Sequence, residues 1–383
     1  MAQYGAFVML SFTITHELSQ QLAQLDARLF VACHKINGLS ESALTEVQRF
    51  ARISMVGAST RIENAQLTDS EVEWLDTQLA DDGKTTGYVS QQYLIKDKLS
   101  KDRERSIEEV AGCRAMILFI YQNAVSLVPL RETDIRMLHD QLMSIYLKKS
   151  PYVGRYKIQP NSVVATDHNL GTSRTVFQTA DPGPITEVAM AELVAWYNEN
   201  RQSKEPGIAV VAEFVYRFLA IHPFQDGNGR LGRGLFLLGL LQCNSAAMRC
   251  VAPCLAIDRQ IEKNKEEYYF VLNRCSGGRF SADATAYQIE HFFQFMLKVL
   301  LQALDDIDLY IEKLKLKQKL SVSALQVLTC FKEHPEIRLS TKRIMDETAL
   351  PRRTVVNVLN KLLEAGFIQR YGQGAGTGYQ VTF

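Results

Sequence analysis

The stretch from Ile221 to Arg233, Ile-His-Pro-Phe-Gln-Asp-Gly-Asn-Gly-Arg-Leu-Gly-Arg, constrains this chain more than any other. It lies between two apolar runs, Val211–Ala220 and Gly234–Leu241, that read as core helices. Pro223 cannot continue a helix, because it lacks an amide hydrogen and clashes with the preceding turn. The stretch is therefore a loop, with Gly227-Asn228-Gly229 leading into the first turn of the second helix. A helix N-terminus presents free N–H groups and the positive end of a dipole, which suits a phosphate. Glycines let the backbone curl its amides around an anion. Arg230 and Arg233 add fork-shaped donors three residues apart. Asp226 supplies a hard oxygen ligand of the kind magnesium takes, and His222, titrating near neutral pH, is a candidate base. Together these residues point to a nucleotide, a metal and a proton acceptor.

Composition narrows the setting. The chain has 383 residues, 46% apolar and 22% charged, with a net charge of +1. That fits two or three globular domains and gives no whole-chain bias toward nucleic acid or membrane. Seven scattered cysteines predict reduced thiols, and Cys250-x-x-x-Cys254 has no second pair to complete a zinc site. The apolar run Ala6–Phe12 is too short to span a membrane and has no basic residues before it, so a cytoplasmic protein is expected.

The loop resembles the signature of the Fic (filamentation induced by cAMP) family, His-x-Phe-x-Asp-Gly-Asn-Gly-Arg-x-x-Arg. His222, Phe224, Asp226, Gly227, Asn228, Gly229, Arg230 and Arg233 match without departure. The resemblance implies a mainly α Fic domain that moves AMP from ATP to a hydroxyl side chain of a target protein. His222 would be the base and Asp226 the Mg2+ ligand. Gly227, Asn228, Gly229 and Arg230 would hold the phosphates, and Arg233 the γ-phosphate. Intact His222 argues against a domain that only senses nucleotide. The intact Gly-Asn-Gly-Arg argues against relatives that move phosphate alone.

Upstream, Leu18, Leu22, Leu25, Leu29 and Phe30 predict a helix, and Ser40 caps another over Ala43–Ile53. Thr60/Glu63 and Thr68/Glu71 both match Thr-x-x-Glu capping boxes. Ser59, Glu63 and Asn64 also resemble the family's inhibitory pattern, (Ser/Thr)-x-x-x-Glu-(Gly/Asn), on a helix near 59–66. That resemblance implies that Glu63 pairs with Arg233. It leaves open whether AMP addition or removal dominates. Asp82–Ser90 reads as a turn-rich break, Lys96–Glu109 as a solvated helix or linker, and Ala111–Leu127 as a long apolar helix. Thr133 caps a helix running to Tyr146.

Residues 154–184 read as a β-hairpin with Asn169-Leu170-Gly171 near its turn. In the family such a hairpin is a flap that holds the target by strand addition, here near Thr175, Val176, Phe177 and Gln178. A helix over Pro184–Glu199 turns Val188, Leu193 and Trp196 inward. Tyr268 and Tyr269, on a helix over Arg259–Val271, correspond to a tyrosine pair that contacts the nucleotide in relatives. Tyr287–Lys315 closes the Fic region.

The expected division is 1–105 for a helical region with the inhibitory helix, 106–315 for the Fic domain, and 319–383 for a winged helix-turn-helix. The last reads as three helices and two strands, with Val355, Val356, Leu359, Leu362 and Leu363 inward. It carries nine Lys/Arg against five Asp/Glu. Arg352 and Arg353 open its third helix, where such helices meet the major groove. DNA binding and protein contact or dimerisation both remain open for it.

Overall fold

The computed structural model describes residues 10–79, 86–99, 103–146, 151–167, 172–201, 203 and 206–382. Most of Ala6–Phe12, residues 82–85 and the turn residues 169–171 lie outside this set.

Helix α1 (His16–Asn37) starts where the Thr15 hydroxyl accepts the Leu18 N–H, and it buries Leu18, Leu25 and Leu29. Phe30 does not join them and is 72% exposed. Helix α2 (Glu41–Ile62) is capped by Ser40 as expected but runs nine residues past Ile53, because nearly every residue of 53–60 is buried in the core. Thr60 is therefore interior to a helix. Its hydroxyl donates to the Val56 and Gly57 carbonyls, so the first predicted capping box does not exist. The second does, at the start of α3 (Asp69–Gln78).

The expected break at 82–90 is helical from Thr86 onward, in α4 (Thr86–Leu99). The charged stretch 96–109 is not simply solvated. Lys96 pairs with Glu104 and Glu108, and Ile107 and Glu109 are buried on α5 (Glu104–Asn123). Helix α6 (Glu132–Met143) begins before Thr133. The Asp134 carboxylate accepts the Arg131 N–H there, so Thr133 is not the cap.

The hairpin forms as predicted, β1 (Ser162–Asp167) antiparallel to β2 (Thr172–Gln178), with a bulge between Val163 and Val164. Helix α7 (Pro184–Asn200) buries Leu193 and Trp196, but Val188 is 56% exposed and Met190 takes the inward position. Helices α8 (Gly207–Ile221) and α9 (Asn228–Gln242) flank the motif loop. They are followed by α10 (Ala246–Val251), α11 (Ile257–Lys263) and α12 (Lys265–Arg274). The single helix expected over 259–271 is thus broken at Asn264. Helix α13 (Ile289–Gln318) closes this part, and one continuous apolar core runs from Leu18 to Leu314.

A second core, Ala324 to Val381, belongs to α14 (Val322–Glu333), α15 (Thr341–Thr348), α16 (Arg352–Glu364) and the hairpin β3 (Ile368–Tyr371)/β4 (Gly378–Val381). Val355, Leu359 and Leu362 are buried, Leu363 is half-buried, and Val356 is 40% exposed. This unit rests on α3 and α4 through Lys332–Glu73 and Lys98–Glu336 ion pairs. No described helix is long and apolar enough to cross a membrane.

Candidate active site

The motif loop is built by its own backbone. His222 ends α8 in the left-handed conformation (φ 52°), and Gly227 enters α9 at φ 80°. Between them the Asn228 side chain closes the loop. It accepts the Phe224 N–H at 2.9 Å and donates to the Phe224 carbonyl at 2.7 Å. Asn228 is thus a brace, and its buried amide is not offered to a phosphate as expected. Likewise the Gly227 N–H already donates to Asp226 Oδ1 at 2.6 Å.

Neighbouring elements fix this loop, through residues the motif does not contain. Phe224 stacks on His139 of α6 at 3.9 Å. The Gly154 N–H donates to His139 Nδ1, so Nε2 carries the proton and donates to the Asp226 carbonyl at 3.0 Å. Burial lowers the His139 pKa to about 4, which keeps that tautomer neutral. Lys157, 2% exposed, donates to Asn161 Oδ1, Thr179 Oγ1 and the Ile221 carbonyl. Asn161 in turn donates to the Phe224 carbonyl at 2.7 Å. Asn161 precedes β1 and Thr179 follows β2, so this knot ties both ends of the hairpin to the loop. Nothing in the local sequence marks Lys157 or His139. They are legible only as polar residues inside apolar surroundings.

These elements surround a cavity of about 210 Å³, partly open to solvent. His222, Asp226, Gly227, Asn228, Gly229, Arg230, Arg233, Glu63, Tyr268 and Tyr269 all line it. His222 Nδ1 donates to the Leu219 carbonyl at 3.2 Å, leaving the Nε2 lone pair free. The near-neutral titration expected of it is not found. Burial, helped by the Lys157 charge, lowers its pKa to about 4. Of the four flap residues, Phe177 lines the cavity, paired across the strands with Val163. Thr175 and Gln178 are exposed and do not line it, and the Val176 side chain is outside the described set. Gln178 instead exchanges backbone hydrogen bonds with Gly278 and Phe280. The sequence reading missed Tyr216, Leu219 and Leu272, which add apolar wall.

Arg230 is 3% exposed, yet its Nε and Nη1 have no hydrogen-bond partner. The nearest carboxylate oxygens, of Asp226 and Glu109, stand 3.5 and 3.8 Å away. Both carboxylates balance its charge, but two buried N–H donors stay open, and such donors are costly unless an acceptor completes them. Arg233 is fully engaged. Its Nε donates to Ser59 Oγ, and its Nη2 to the Ser59 carbonyl and to Glu63 Oε1 at 3.0 Å. Asp258, another unforeseen residue, lies 3.4 Å from Nε. Burial would weaken Arg233 as a base, but Glu63 and Asp258 outweigh it and raise its pKa. Burial likewise pushes Glu63 up, while Arg233 and then Arg230 bring its pKa below the usual value.

Glu63 is the residue after α2, and Asn64 follows at φ 72°, a left-handed helix terminus that asparagine tolerates. The Glu63 carboxylate lies over the first turn of α9. A Cβ at Gly229 would fall 2.3 Å from its Oε1. The Asp226 side chain is 45% accessible, and that of Glu63 32%. Among the described residues no cluster of three or more His, Cys, Asp or Glu could hold a metal unaided.

A Fic/DOC family model matches residues 129–240, which span α6 to α9 and the loop. Over that stretch the chain is similar to the Fic/DOC family. The protein adenylyltransferase Fic of Drosophila willistoni is 26% identical over 276 residues, and that of Drosophila melanogaster 25%. Each alignment covers 70% of this chain and 46% of the relative, so the chain spans about half the length of the curated relatives it matches. A Fic family protein from Desulfovibrio desulfuricans G20 superposes over 98% of both chains, with 24% identity and a TM-score of 0.55. A Fic domain containing signaling protein from Bacteroides thetaiotaomicron covers 75% of this chain and 98% of its own, at 25% identity and TM-score 0.55. The Fic fold of this mainly helical chain is therefore shared with solved structures.

Proposed function

We propose that this protein transfers AMP from ATP to a hydroxyl side chain of a target protein, and that Glu63 restrains it. The observation that carries this is a neutral histidine with a free Nε2 in the same cavity as a buried arginine with two open N–H donors at a helix N-terminus. His222 Nε2 accepts the proton of the target hydroxyl. The oxygen attacks the α-phosphorus, the bond to the bridging oxygen breaks, and pyrophosphate leaves. Arg230 and the leading amides of α9 stabilise the charge that gathers on the phosphate oxygens. Asp226 is suited to hold Mg2+, with phosphate oxygens completing the shell, and the ion would neutralise phosphate charge. Apolar Phe177, Leu219 and Leu272, with Tyr268 and Tyr269, offer a slot for the base. The names of the Drosophila relatives support this reading.

In the structure Glu63 holds the Arg233 nitrogen that a γ-phosphate would need. The test incubates wild type, Glu63→Gly and Glu63→Gly/His222→Ala with ATP labelled at the α-phosphate. Covalent label is expected to rise strongly in Glu63→Gly. It should vanish in the double variant, which still binds nucleotide, since a positioned base contributes about 10²–10⁴-fold. Wild-type labelling in all three overturns both assignments.

For the C-terminal unit we propose DNA as a partner. Its order of three helices and a hairpin is that of a winged helix, and Arg352 and Arg353 are both exposed at the start of α16.

A further inference from the structure

We infer that Lys265 is a second cation for the terminal phosphate, making the cavity selective for nucleoside triphosphates over diphosphates. This rests on the nucleotide reading of the cavity and adds a specificity-determining residue to it.

Lys265 is the first residue of α12. Tyr268 and Tyr269 follow three and four positions later, hence on the same helix face, and both line the cavity. Lys265 thus lies on the cavity side of α12, one turn beyond the tyrosines. Its Nζ reaches Asn64 Oδ1 at 3.4 Å, which places the ammonium beside the segment that carries Glu63. Burial is the largest influence on its basicity and lowers it. Glu63 opposes that and Arg233 adds to it, so Lys265 feels both partners of the restraining ion pair.

Charge balance says what it does there. Arg233 already faces Asp258 at 3.4 Å through Nε. When a γ-phosphate takes the place of Glu63 at Nη2, a group with up to two negative charges replaces a group with one. Arg233, shared with Asp258, does not neutralise it alone. Lys265 is half-buried on a flexible stem, and its contact with Asn64 is long, so the ammonium can turn toward the phosphate at little cost. A diphosphate ends one phosphate short of this corner and gains nothing from it.

The test measures equilibrium binding of ATP and ADP, with magnesium at fixed salt, to full-length Glu63→Gly with and without Lys265→Met. Using the Glu63→Gly background removes any effect that works through the Glu63 contact. We expect Glu63→Gly to prefer ATP. Lys265→Met should cut the ATP-over-ADP preference about five- to tenfold, through ATP alone, with ADP affinity within about twofold. Lys265→Arg, which keeps the charge, should retain most of the preference. Equal weakening of both nucleotides, or no change in either, overturns the assignment. If Glu63→Gly transfers no AMP yet loses ATP preference with Lys265→Met, the transfer reading falls and the role of Lys265 stands. If Glu63→Gly binds neither nucleotide, both fall.

Discussion

Asn228 and His139 show how much of this site is made by single side chains that never face a substrate. Asn228→Ala removes the partner of the buried Phe224 N–H, while the Phe224 carbonyl keeps Asn161. One orphaned buried donor and a lost brace should cost about 2–3 kcal/mol, read as a lower urea midpoint, with nucleotide binding weakened through the loop. His139 and His222 are both held neutral, with pKa values lowered to about 4 from 6.5. Between those values the unfolded chain binds more protons than the folded one. The stability they contribute is therefore complete above about pH 6.5 and is lost as pH falls toward 4. The effect is up to about 3 kcal/mol for each. Urea unfolding at pH 7, 5.5 and 4.5 should show that decline, with a shallower slope in His139→Gln. That the motif residues share one cavity was legible; that Asn228 is tied to Phe224 was not. Nor was the neutral state of His222, because the burial and the Lys157 charge that lower its pKa come from the folded surroundings.

At the scale of elements, the catalytic loop depends on how closely helices approach. A Cβ at Gly112 of α5 would fall 2.1 Å from the Leu142 carbonyl of α6, and a backbone atom cannot rotate away. The next α6 residue, Met143, has its Sδ against the position a Cβ would take at Gly227. Gly112→Ala should push α6 off α5 and move the loop with it. The expected loss is about 2–4 kcal/mol in stability, measured by thermal melting, and a fall in AMP transfer larger than the fall in folded fraction. The helices, the hairpin and most of their order were readable from periodicity and turn residues. Boundaries failed where a local pattern had two meanings. Thr60-x-x-Glu63 reads as a helix start, yet Asn64 is a helix-end residue, and the buried run before it extends α2 straight through Thr60. Val188 and Phe30 fit the helical period but fall on faces that no neighbouring element covers.

For the whole molecule, the C-terminal unit is docked against α3, the helix that follows Glu63. Lys332 pairs with Glu73 of α3, and Ser70 reaches the Val381 carbonyl. Arg61, two residues before Glu63, bonds both the Leu67 carbonyl and Asp69 at the start of α3. Arg352→Ala with Arg353→Ala should weaken DNA binding and flatten its log–log salt slope by about two units, while AMP transfer is unchanged. A gel-shift titration across salt concentrations measures this, and absence of binding by wild type at low salt leaves the unit as a protein-contact module.

If Glu63 restrains transfer as proposed, the pinning around it also sets how fast that restraint comes off. Arg61 is fixed to Glu262 and Asp69 on one side, and Gln66 to Ser106 and Arg103 on the other. The helix has no need to leave, since turning the Glu63 side chain about its own bonds removes its contact with Arg233 Nη2, while Ser59 and Asp258 keep holding the guanidinium in place. Exposed side chains turn in roughly picoseconds to nanoseconds and a buried, paired one more slowly, whereas domain movements take about microseconds to milliseconds. The resting state is then a rapidly sampled balance with no mechanical latch. Its occupancy would follow competing anions at Arg233 from moment to moment, and switching on would leave no lag in a stopped-flow trace.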